Sequence, residues 1–181
     1  MSNLTKIQDI AEHKIRIGGF NSFSFREIAD EVGIKSSSVH YHFPTKLDLG
    51  LAVAKRYTDR FIDELKGHED ASLSLQLCIE MYIRVFETAL KRDRKMCLCG
   101  LLAAESSNLP NALKSEARRF FQLNIEWLTN KFVELGHLDE NSAKAKAIFY
   151  ISSLEGALLT SQVNDDTTIF DATAKQLKAL L

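Results

Sequence analysis

Residues 24–49 read SFREIADEVGIKSSSVHYHFPTKLDL, and this stretch decides the predicted fold of the N-terminal part of the chain. Its first apolar residues recur at the spacing of one face of a helix, and they are Phe25, Ile28, Ala29 and Val32. Gly33 follows where a helix commonly ends in a residue with positive φ, and Ile34 fills the corner. A short second helix is expected from about Ser36 to His42, so the pattern predicts a helix-turn-helix.

The predicted second helix has two different faces. The face expected to pack inward carries Val39, His42 and Phe43. The opposite face carries Ser37, Ser38, His40 and Tyr41, with Ser36 available as the N-cap. Small hydroxyls let a helix lie deep in the major groove of DNA, and Ser, His and Tyr bond base edges or phosphates. An ordinary solvated helix face has the same composition, so the residues alone leave both interpretations open.

Capping signals support these boundaries. Three S/T-x-x-D/E/Q patterns each open an apolar-periodic segment, and they are Thr5 with Gln8, Ser24 with Glu27, and Thr45 with Asp48. Such patterns place helix starts near the N-terminus, before Phe25 and before Lys46.

Residues 5–50 resemble the DNA-binding domain of the TetR/AcrR transcriptional regulators. The resemblance rests on FSFREIA at 23–29, VGI at 32–34 and above all VHYHFPTK at 39–46, where a short recognition helix ends in Tyr-x-Phe before a loop and Lys46. It implies a three-helix DNA-binding domain at residues 1–50 and a larger helical effector-binding and dimerisation domain at residues 51–181.

The resemblance also implies DNA contacts. The residues concerned are Ser24, Arg26, Lys35, Ser36, Ser37, His40, Tyr41, His42 and Lys46. Tyr41 and Lys46 would touch phosphate, and Ser24 and Arg26 would reach the flanking backbone. The family usually has Ser or Thr at position 35 and often a cation at 36, whereas this chain has the reverse order. The N-cap is therefore expected to shift by one residue, and base preference cannot be carried over.

The amino-acid composition limits the fold classes that are possible for the whole chain. Of 181 residues, 45% are hydrophobic and 26% are charged, which is ordinary for a globular protein. With 8 Gly and 2 Pro, and runs rich in Ala, Leu, Glu and Lys, we expect an all-α fold.

Residues 1–60 carry a net charge of +2 and residues 61–181 a net charge of −3, a modest asymmetry that favours DNA binding by the first segment. No apolar run is long enough to span a membrane and no signal peptide is evident, so we expect a cytoplasmic protein.

Beyond the helix-turn-helix, periodicity predicts further helices separated by short breaks, for a total of about nine. Their expected ranges are about 45–66, 71–91, 96–106, 110–135, 141–163 and 168–181. The last two are very apolar, and burial within one chain would explain that. The resemblance instead implies a homodimer in which they pair across a two-fold axis, with Ile151, Leu154, Leu158 and Leu177 at the interface. Two recognition helices would then match an inverted-repeat operator.

Two sensing mechanisms remain open. A repressor of this family would be released by a small apolar effector, and the candidate lining residues are Phe61, Met81, Phe86, Met96, Phe120, Trp127 and Tyr150. Alternatively, an electrophile or oxidant would modify Cys97 or Cys99, because the basic run at residues 91–95 would favour a thiolate. Most buried cysteines, however, are simply small hydrophobic residues.

Other classes of function find little support in the sequence. His40 and His42, like Cys97 and Cys99, stand two residues apart and diverge on a helix, so no metal site or cofactor is expected. No nucleophile elbow or phosphate-binding loop occurs, so we do not expect an enzyme. A helical domain that binds only proteins would be recognised by its failure to bind any duplex at low salt.

Overall fold

The computed structural model describes residues 2–67, 73–91 and 94–181, and within these ranges all regular secondary structure is helical. The α-helices are α1 (Asn3–Gly18), α2 (Phe25–Val32), α3 (Ser36–His42), α4 (Lys46–Lys66), α5 (Leu75–Lys91), α6 (Leu98–Ala104), α7 (Asn111–Glu134), α8 (Glu140–Asn164) and α9 (Thr168–Ala179). Short 3-10 turns lie at Phe20–Ser22 and Ser106–Asn108. The all-α prediction and the nine expected helices are thus confirmed for the described part of the chain.

Two of the three predicted capping patterns form. The Ser24 hydroxyl accepts the Glu27 N–H at 3.3 Å, and the Glu27 carboxylate accepts the Ser24 N–H at 2.7 Å. Thr45 and Asp48 make the same reciprocal pair, at 3.2 Å and 2.9 Å. The prediction of a cap at Thr5 is wrong, because Ser2, three residues earlier, caps α1 by accepting the Thr5 N–H.

The remaining boundaries differ by a few residues at most. The predicted start of α5 at Ala71 lies outside the described residues. Helix α6 is shorter than the expected 96–106, and α9 stops before the C-terminal leucines. The expected break at residues 164–166 forms, with Asp165 in the left-handed region at φ 49° and the Asp166 carboxylate accepting the Thr168 N–H at 2.9 Å.

The chain forms two compact units. The first comprises Met1–Asp59 with Leu98–Arg119, and the second comprises Arg60–Cys97 with Phe120–Leu181. This differs from a division at residue 50, because residues 98–119 group with the N-terminal helices. Within the first unit, the Glu105 carboxylate accepts the Phe20 N–H at 3.0 Å, and Arg119 forms an ion pair with Asp59.

The first unit is organised around one apolar core. Side chains from α1 to α4 are fully buried in it, among them Ile7, Ile15, Ile28, Val39 and Leu49. Lys14 of α1 pairs with Glu31 of α2 at 2.9 Å. Arg56 joins α4 to α1 through Asp9 and Glu12, at 2.8 Å and 3.1 Å. These contacts fix α2, α3 and the start of α4 as one scaffold.

The second unit is built from α5, α8, α9 and the adjoining parts of α4 and α7. Tyr150 of α8 packs edge-on against Phe132 and donates its hydroxyl to the Leu177 carbonyl at 2.6 Å, which ties α8 to α9. Burial raises the pKa of Tyr150 to about 12. Lys91 and Asp171, 2.6 Å apart, join α5 to α9. Among the described helices, none is long and apolar enough to cross a bilayer.

Candidate nucleic-acid interface

The turn between α2 and α3 sets the direction of the second helix. Gly33 has φ 78°, and its N–H bonds the Ala29 carbonyl at 2.9 Å, while the N–H of Ile34 bonds the same oxygen at 3.0 Å. A side chain at position 33 would strain this left-handed conformation. Helix α3 begins at Ser36, with Lys35 in the N-cap position and no side-chain capping bond. Ser36 is therefore the first helical residue and not the expected N-cap.

Helix α3 contacts the core through two side chains one turn apart. Val39 is fully buried and Phe43, just after the helix, is 7% exposed. His42 was expected on this inward face, but it is exposed and its ring centroid lies 5.4 Å from that of Tyr41. Because α3 has only seven residues, one pair at i and i+4 suffices to anchor it. The outward face is accordingly broader than the sequence suggested.

The outward face of α3 presents hydrogen-bonding groups to solvent. Ser37, His40 and Tyr41 are exposed, and the Tyr41 side chain reaches 85% exposure. The His40 ring packs edge-on against Phe25 of α2, with centroids 4.7 Å apart. This contact limits the orientations of the imidazole without covering it. An oriented imidazole beside a phenol and a hydroxyl can donate to or accept from base edges and phosphates.

Lys46 opens α4 and is held by aromatic rings. Its Nζ lies 4.5 Å from the ring centroid of Phe23 and 5.3 Å from that of Phe20. Partial burial lowers the pKa of Lys46, and the negative charge of Glu27 opposes that shift. The sequence did not predict this cation–π contact. It restrains the ammonium group at the first turn of α4, beside backbone N–H groups that can bind a phosphate.

The other predicted DNA contacts lie on the same unit. Ser24 and Arg26 are exposed at the start of α2, Lys35 is exposed in the turn, and Ser36 is half-buried at the start of α3. The Ser24 hydrogen bonds lower the pKa of Glu27, which keeps this cap ionised. The predicted residues thus lie at the start of α2, in the turn before α3, at Ser36, Ser37 and residues 40–42 of α3, and in the first turn of α4. Together they provide positively charged side chains and short side chains that donate hydrogen bonds. This combination is suited to binding a groove lined by phosphates.

Some of the predicted effector residues are brought together in the second unit. Phe61 contacts Phe86 and Phe120 edge-on, with centroids 5.4 Å and 5.0 Å apart, and Trp127 joins the same group through Tyr82. Met96 is buried and Met81 is half-buried. Tyr150 contacts Phe132 and Phe149 instead.

A polar cluster in the second unit was not predicted. The Tyr82 hydroxyl donates to Asn124 Oδ1 at 3.0 Å, and Asn124 Nδ2 donates to the Phe120 carbonyl at 2.8 Å. Burial, followed by the negative charge of Glu155, raises the pKa of Tyr82 well above its ordinary value. Cys97 forms a hydrogen bond with Glu155. The lone Glu155 in the apolar stretch 148–159 is the sequence signal that could have indicated this cluster.

The surroundings of the cysteines do not match the expected activation. Cys97 and Cys99 are 1% and 0% exposed. Of the described cations in the run 91–95, Lys91 pairs with Glu87 and Asp171, and Arg94 lies 3.8 Å from Asp165. Arg92 and Asp93 lie outside the described residues. The group observed beside Cys97 is a carboxyl, which disfavours a thiolate. Within the described ranges, no group of three or more His, Cys, Asp or Glu residues could hold a metal.

The residues expected at a dimer interface lie inside the chain. Leu154 and Leu158 are 0% exposed, and Ile151 and Leu177 are 2% and 1% exposed. Ile151, Leu154 and Leu158 are buried in the second unit and have almost no surface to offer a second chain, whereas Leu177 lines a groove with Phe149 and Leu180. The prediction of Ile151, Leu154 and Leu158 as interface contacts is therefore corrected, and that of Leu177 stays a prediction. The exposed apolar residues of α8 and the C-terminus are Ile148, Phe149, Leu159, Val163, Leu180 and Leu181.

Comparison with known proteins identifies the family. Residues 7–53 match the bacterial regulatory proteins of the tetR family, and residues 72–176 match the C-terminal domain of LmrA/YxaF-like transcriptional regulators. The crystal structure of a TetR transcriptional regulator from Legionella pneumophila is 34% identical, with a TM-score of 0.94 over 100% of this chain and 98% of that one. A TetR-family regulator from Agrobacterium tumefaciens is 28% identical, with a TM-score of 0.88 over 99% and 97%. A search among curated proteins finds no match.

The chain therefore belongs to the TetR family of bacterial transcriptional regulators. It is a DNA-binding regulator, as its helix-turn-helix indicates.

Proposed function

We propose that this protein is a homodimeric repressor whose two α3 helices bind an inverted-repeat operator, and that a small, largely apolar effector releases it. The observation that carries the DNA contacts is the exposed face of α3, with Ser37, His40 and Tyr41, next to the restrained ammonium group of Lys46. Side chains on α3 would set base preference, whereas Tyr41 and Lys46 would bind phosphate. A two-fold dimer doubles both kinds of contact.

The exposed face of α8 supports the dimer. Its outward residues follow alternating spacings of three and four, and they are Phe149, Ser152, Gly156, Leu159 and Val163. This is the repeat by which helices pack along a seam, and the small residues in its middle permit close approach. Apart from its chain neighbours and the backbone of its own helix, no described atom lies within 4 Å of where a Cβ at Gly156 would stand. A groove of about 500 Å³ between α8 and α9, lined by Phe149, Ser153, Thr173, Leu177 and Leu180 among others, offers a recess for a partner side chain.

The aromatic cluster of the second unit supports an apolar effector. Phe61, Phe86 and Trp127 are nearly buried, and rings of this kind form the walls of ligand pockets. Release of DNA requires that the effector bind the DNA-incompetent conformation more tightly. Helix α4 is our candidate link, because it carries Lys46 in the first unit and Phe61 in the second. A tilt of this helix would change the spacing of the two α3 helices.

We favour reversible binding over modification of Cys97 or Cys99. Both thiols are buried, and the carboxyl of Glu155 beside Cys97 raises the cost of forming a thiolate. On the proposed mechanism, Cys97→Ser and Cys99→Ser remain inducible by a reversible ligand. Loss of induction by electrophiles alone in these variants would establish the thiol mechanism instead.

The deciding experiment is a DNA titration. Fluorescence anisotropy with duplexes from the DNA upstream of the gene should identify an inverted repeat bound by two chains. Lys46→Ala should weaken binding to every duplex roughly tenfold and flatten the salt dependence by about one ion. Lys55→Ala is the matched control, because Lys55 is exposed on the same helix and pairs with Asp59.

Failure of the unmodified protein to bind any duplex at low salt would refute the proposal. Equal behaviour of the Lys46 and Lys55 variants would refute the assignment of Lys46 to phosphate.

A further inference from the structure

The segment between α1 and α2 is held by a side chain from a distant part of the chain. Helix α1 ends at Gly18, and Gly19 has φ 81° and ψ −179°, which turns the backbone out of the helix. The N–H of Phe20 then donates to Glu105 Oε2 at 3.0 Å, across 85 residues of sequence. Glu105 directly follows α6 and is half-buried, so this charge-assisted hydrogen bond is partly shielded from water.

The carboxylate of Glu105 packs directly on the backbone of Gly19. A Cβ at position 19 would overlap with Glu105 Oε1 and would stand 2.5 Å from its Cδ. Gly33 has a similar φ of 78°, but beyond the neighbouring backbone no described atom lies within 4 Å of where its Cβ would stand. The turn alone explains glycine at position 33, whereas position 19 also needs glycine because the carboxylate comes so close.

The Phe20 ring connects this hydrogen bond to the first turns of α4. The side chain is 7% exposed, and it lies so close to α4 that a Cβ at Gly50 would stand 2.5 Å from its Cε2 atom. Lys46, one turn before Gly50, has its Nζ 5.3 Å from the Phe20 ring centroid. Phe23, the second ring beside Lys46, packs edge-on against Phe20 with centroids 6.1 Å apart. A shift of the Phe20 backbone would therefore displace the ring that restrains the Lys46 ammonium group.

We propose that Glu105 is a positioning residue for DNA binding: its carboxylate fixes the backbone at Phe20, and through the Phe20 ring it sets the place of the Lys46 ammonium group. Glu105 acts through these two residues and needs no contact with DNA. The inference rests on the proposed assignment of Lys46 to phosphate. It makes residues 98–119, which belong to the first unit, part of the DNA-binding apparatus, although the helix-turn-helix lies wholly within residues 1–50.

The sign of the effect separates positioning from charge. Glu105→Ala removes a negative charge from the first unit, and on charge alone this should strengthen binding to DNA. Positioning predicts the opposite, a loss of affinity of about fivefold, smaller than the loss caused by Lys46→Ala. Asp30→Ala is the matched control, because Asp30 is exposed on α2 and its removal changes the net charge equally without weakening binding. Fluorescence anisotropy with the labelled upstream duplex measures all of them. Unchanged or tighter binding by Glu105→Ala overturns the proposal.

Two conservative variants test the hydrogen bond itself. The amide oxygen in Glu105→Gln can still accept the Phe20 N–H, so this variant should stay within about twofold of the unmodified affinity. Glu105→Asp keeps the charge but draws the carboxylate back by one methylene, so it should weaken binding nearly as much as Glu105→Ala. An equal loss in Glu105→Gln and Glu105→Ala overturns the proposal. Glu105→Asp decides the question where Glu105→Ala does not fold, and its unchanged affinity would overturn the proposal there.

The salt dependence of binding is a readout that a loss of stability alone does not change. Glu105→Ala should flatten it by up to about one ion, as Lys46→Ala does, because both variants weaken the same phosphate contact. In the Lys46→Ala background, Glu105→Ala should add less than about twofold, because the residue through which it acts is already gone. Weaker binding with an unchanged salt slope, or a full additional loss in the double variant, overturns the proposal.

The same titrations separate this inference from the proposed function. Failure of Lys46→Ala to weaken binding rejects the assignment of Lys46 to phosphate, and this inference with it. Weaker binding by Lys46→Ala combined with unaffected binding by Glu105→Ala and Glu105→Asp rejects this inference alone.

Discussion

The outward face of α3 and the cluster of Tyr82, Asn124 and Glu155 in the second unit are both polar, but the first is exposed and the second is buried. On α3 the polar groups of Ser37, His40 and Tyr41 point to solvent, and two apolar residues hold the helix from behind. In the second unit the Tyr82 hydroxyl, the Asn124 amide and one Glu155 oxygen are buried. A polar face on a short helix can be recognised from its spacing. A polar cluster in a core is formed by residues far apart in sequence, so only the fold reveals it.

The largest effect expected is at the boundary between core and surface on α8. Leu158 is 0% exposed and its neighbour Leu159 is 52% exposed. Leu158→Glu places an unpaired charge in the core and should cost at least about 4 kcal/mol, enough to unfold the second unit. Leu159→Glu should leave the fold intact and convert the proposed dimer to a monomer. Circular dichroism and sedimentation velocity measure the two outcomes.

The pair also tests where the dimer forms. If Leu159→Glu stays dimeric, the exposed face of α8 is not the interface. If Leu158→Glu folds normally, the burial of that side chain is not what stabilises the second unit.

The next largest effect is the pH dependence of stability at Glu155. Burial raises the pKa of Glu155 to about 7 in the folded chain, from an ordinary value of 4.5. Below pH 4.5 both states hold the proton and nothing is lost. As the pH rises from 4.5 to 7, the unfolded chain ionises first, so the stability of the native state falls, and the loss is complete above pH 7.

Glu155→Gln should therefore match the unmodified protein at pH 4 and exceed its stability by about 2–3 kcal/mol at pH 8. Urea denaturation at several pH values measures this difference. Tyr82, the facing phenol, does not titrate in this range because burial raises its pKa. Glu140→Gln is the control, and a flat difference between Glu155→Gln and the unmodified protein across pH would contradict the burial of this carboxyl.

A smaller effect separates the two kinds of contact on α3. Tyr41→Phe should weaken binding to all duplexes by a similar factor, since the hydroxyl is assigned to phosphate. His40→Ala should instead alter which duplexes are preferred, by about 1–2 kcal/mol at the affected base pair. Selection from a randomised duplex pool measures both. An unaltered preference in His40→Ala would move base recognition to other residues of α3.

The smallest effect concerns the cap of α4. Thr45→Ala removes the hydroxyl that accepts the Asp48 N–H and should cost about 1 kcal/mol of stability. The analogous Ser24→Ala should cost about the same, because α2 has the same reciprocal cap. Thermal unfolding followed by circular dichroism compares them. If neither change lowers the free energy of unfolding, the capping patterns mark helix starts but do not stabilise the helices.

Local patterns predicted the helix-turn-helix closely. The Gly33 turn, the Ser24 cap and the extent of α3 depend on residues within a few positions of each other, so the local sequence indicates them. Predictions that required a facing partner were less accurate. Periodicity alone predicts that His42 faces inward. This is wrong, because Val39 and Phe43 suffice to anchor α3 and leave His42 exposed. The cation–π contact of Lys46 joins residues about twenty positions apart, so spacing could not indicate it.

The sequence by itself determined that this protein is all-helical, that its N-terminal part is a DNA-binding helix-turn-helix and that it belongs among the TetR regulators. Periodicity, glycine and caps act over a few residues, so they can be read directly from the chain. The tertiary structure alone decided which apolar residues of α8 are core and which are surface, because helix packing selects one stripe from a helix that is apolar on several sides. It also brought Tyr82, Cys97, Asn124 and Glu155 together, since burial and missing hydrogen bonds depend on every neighbour of an atom in space.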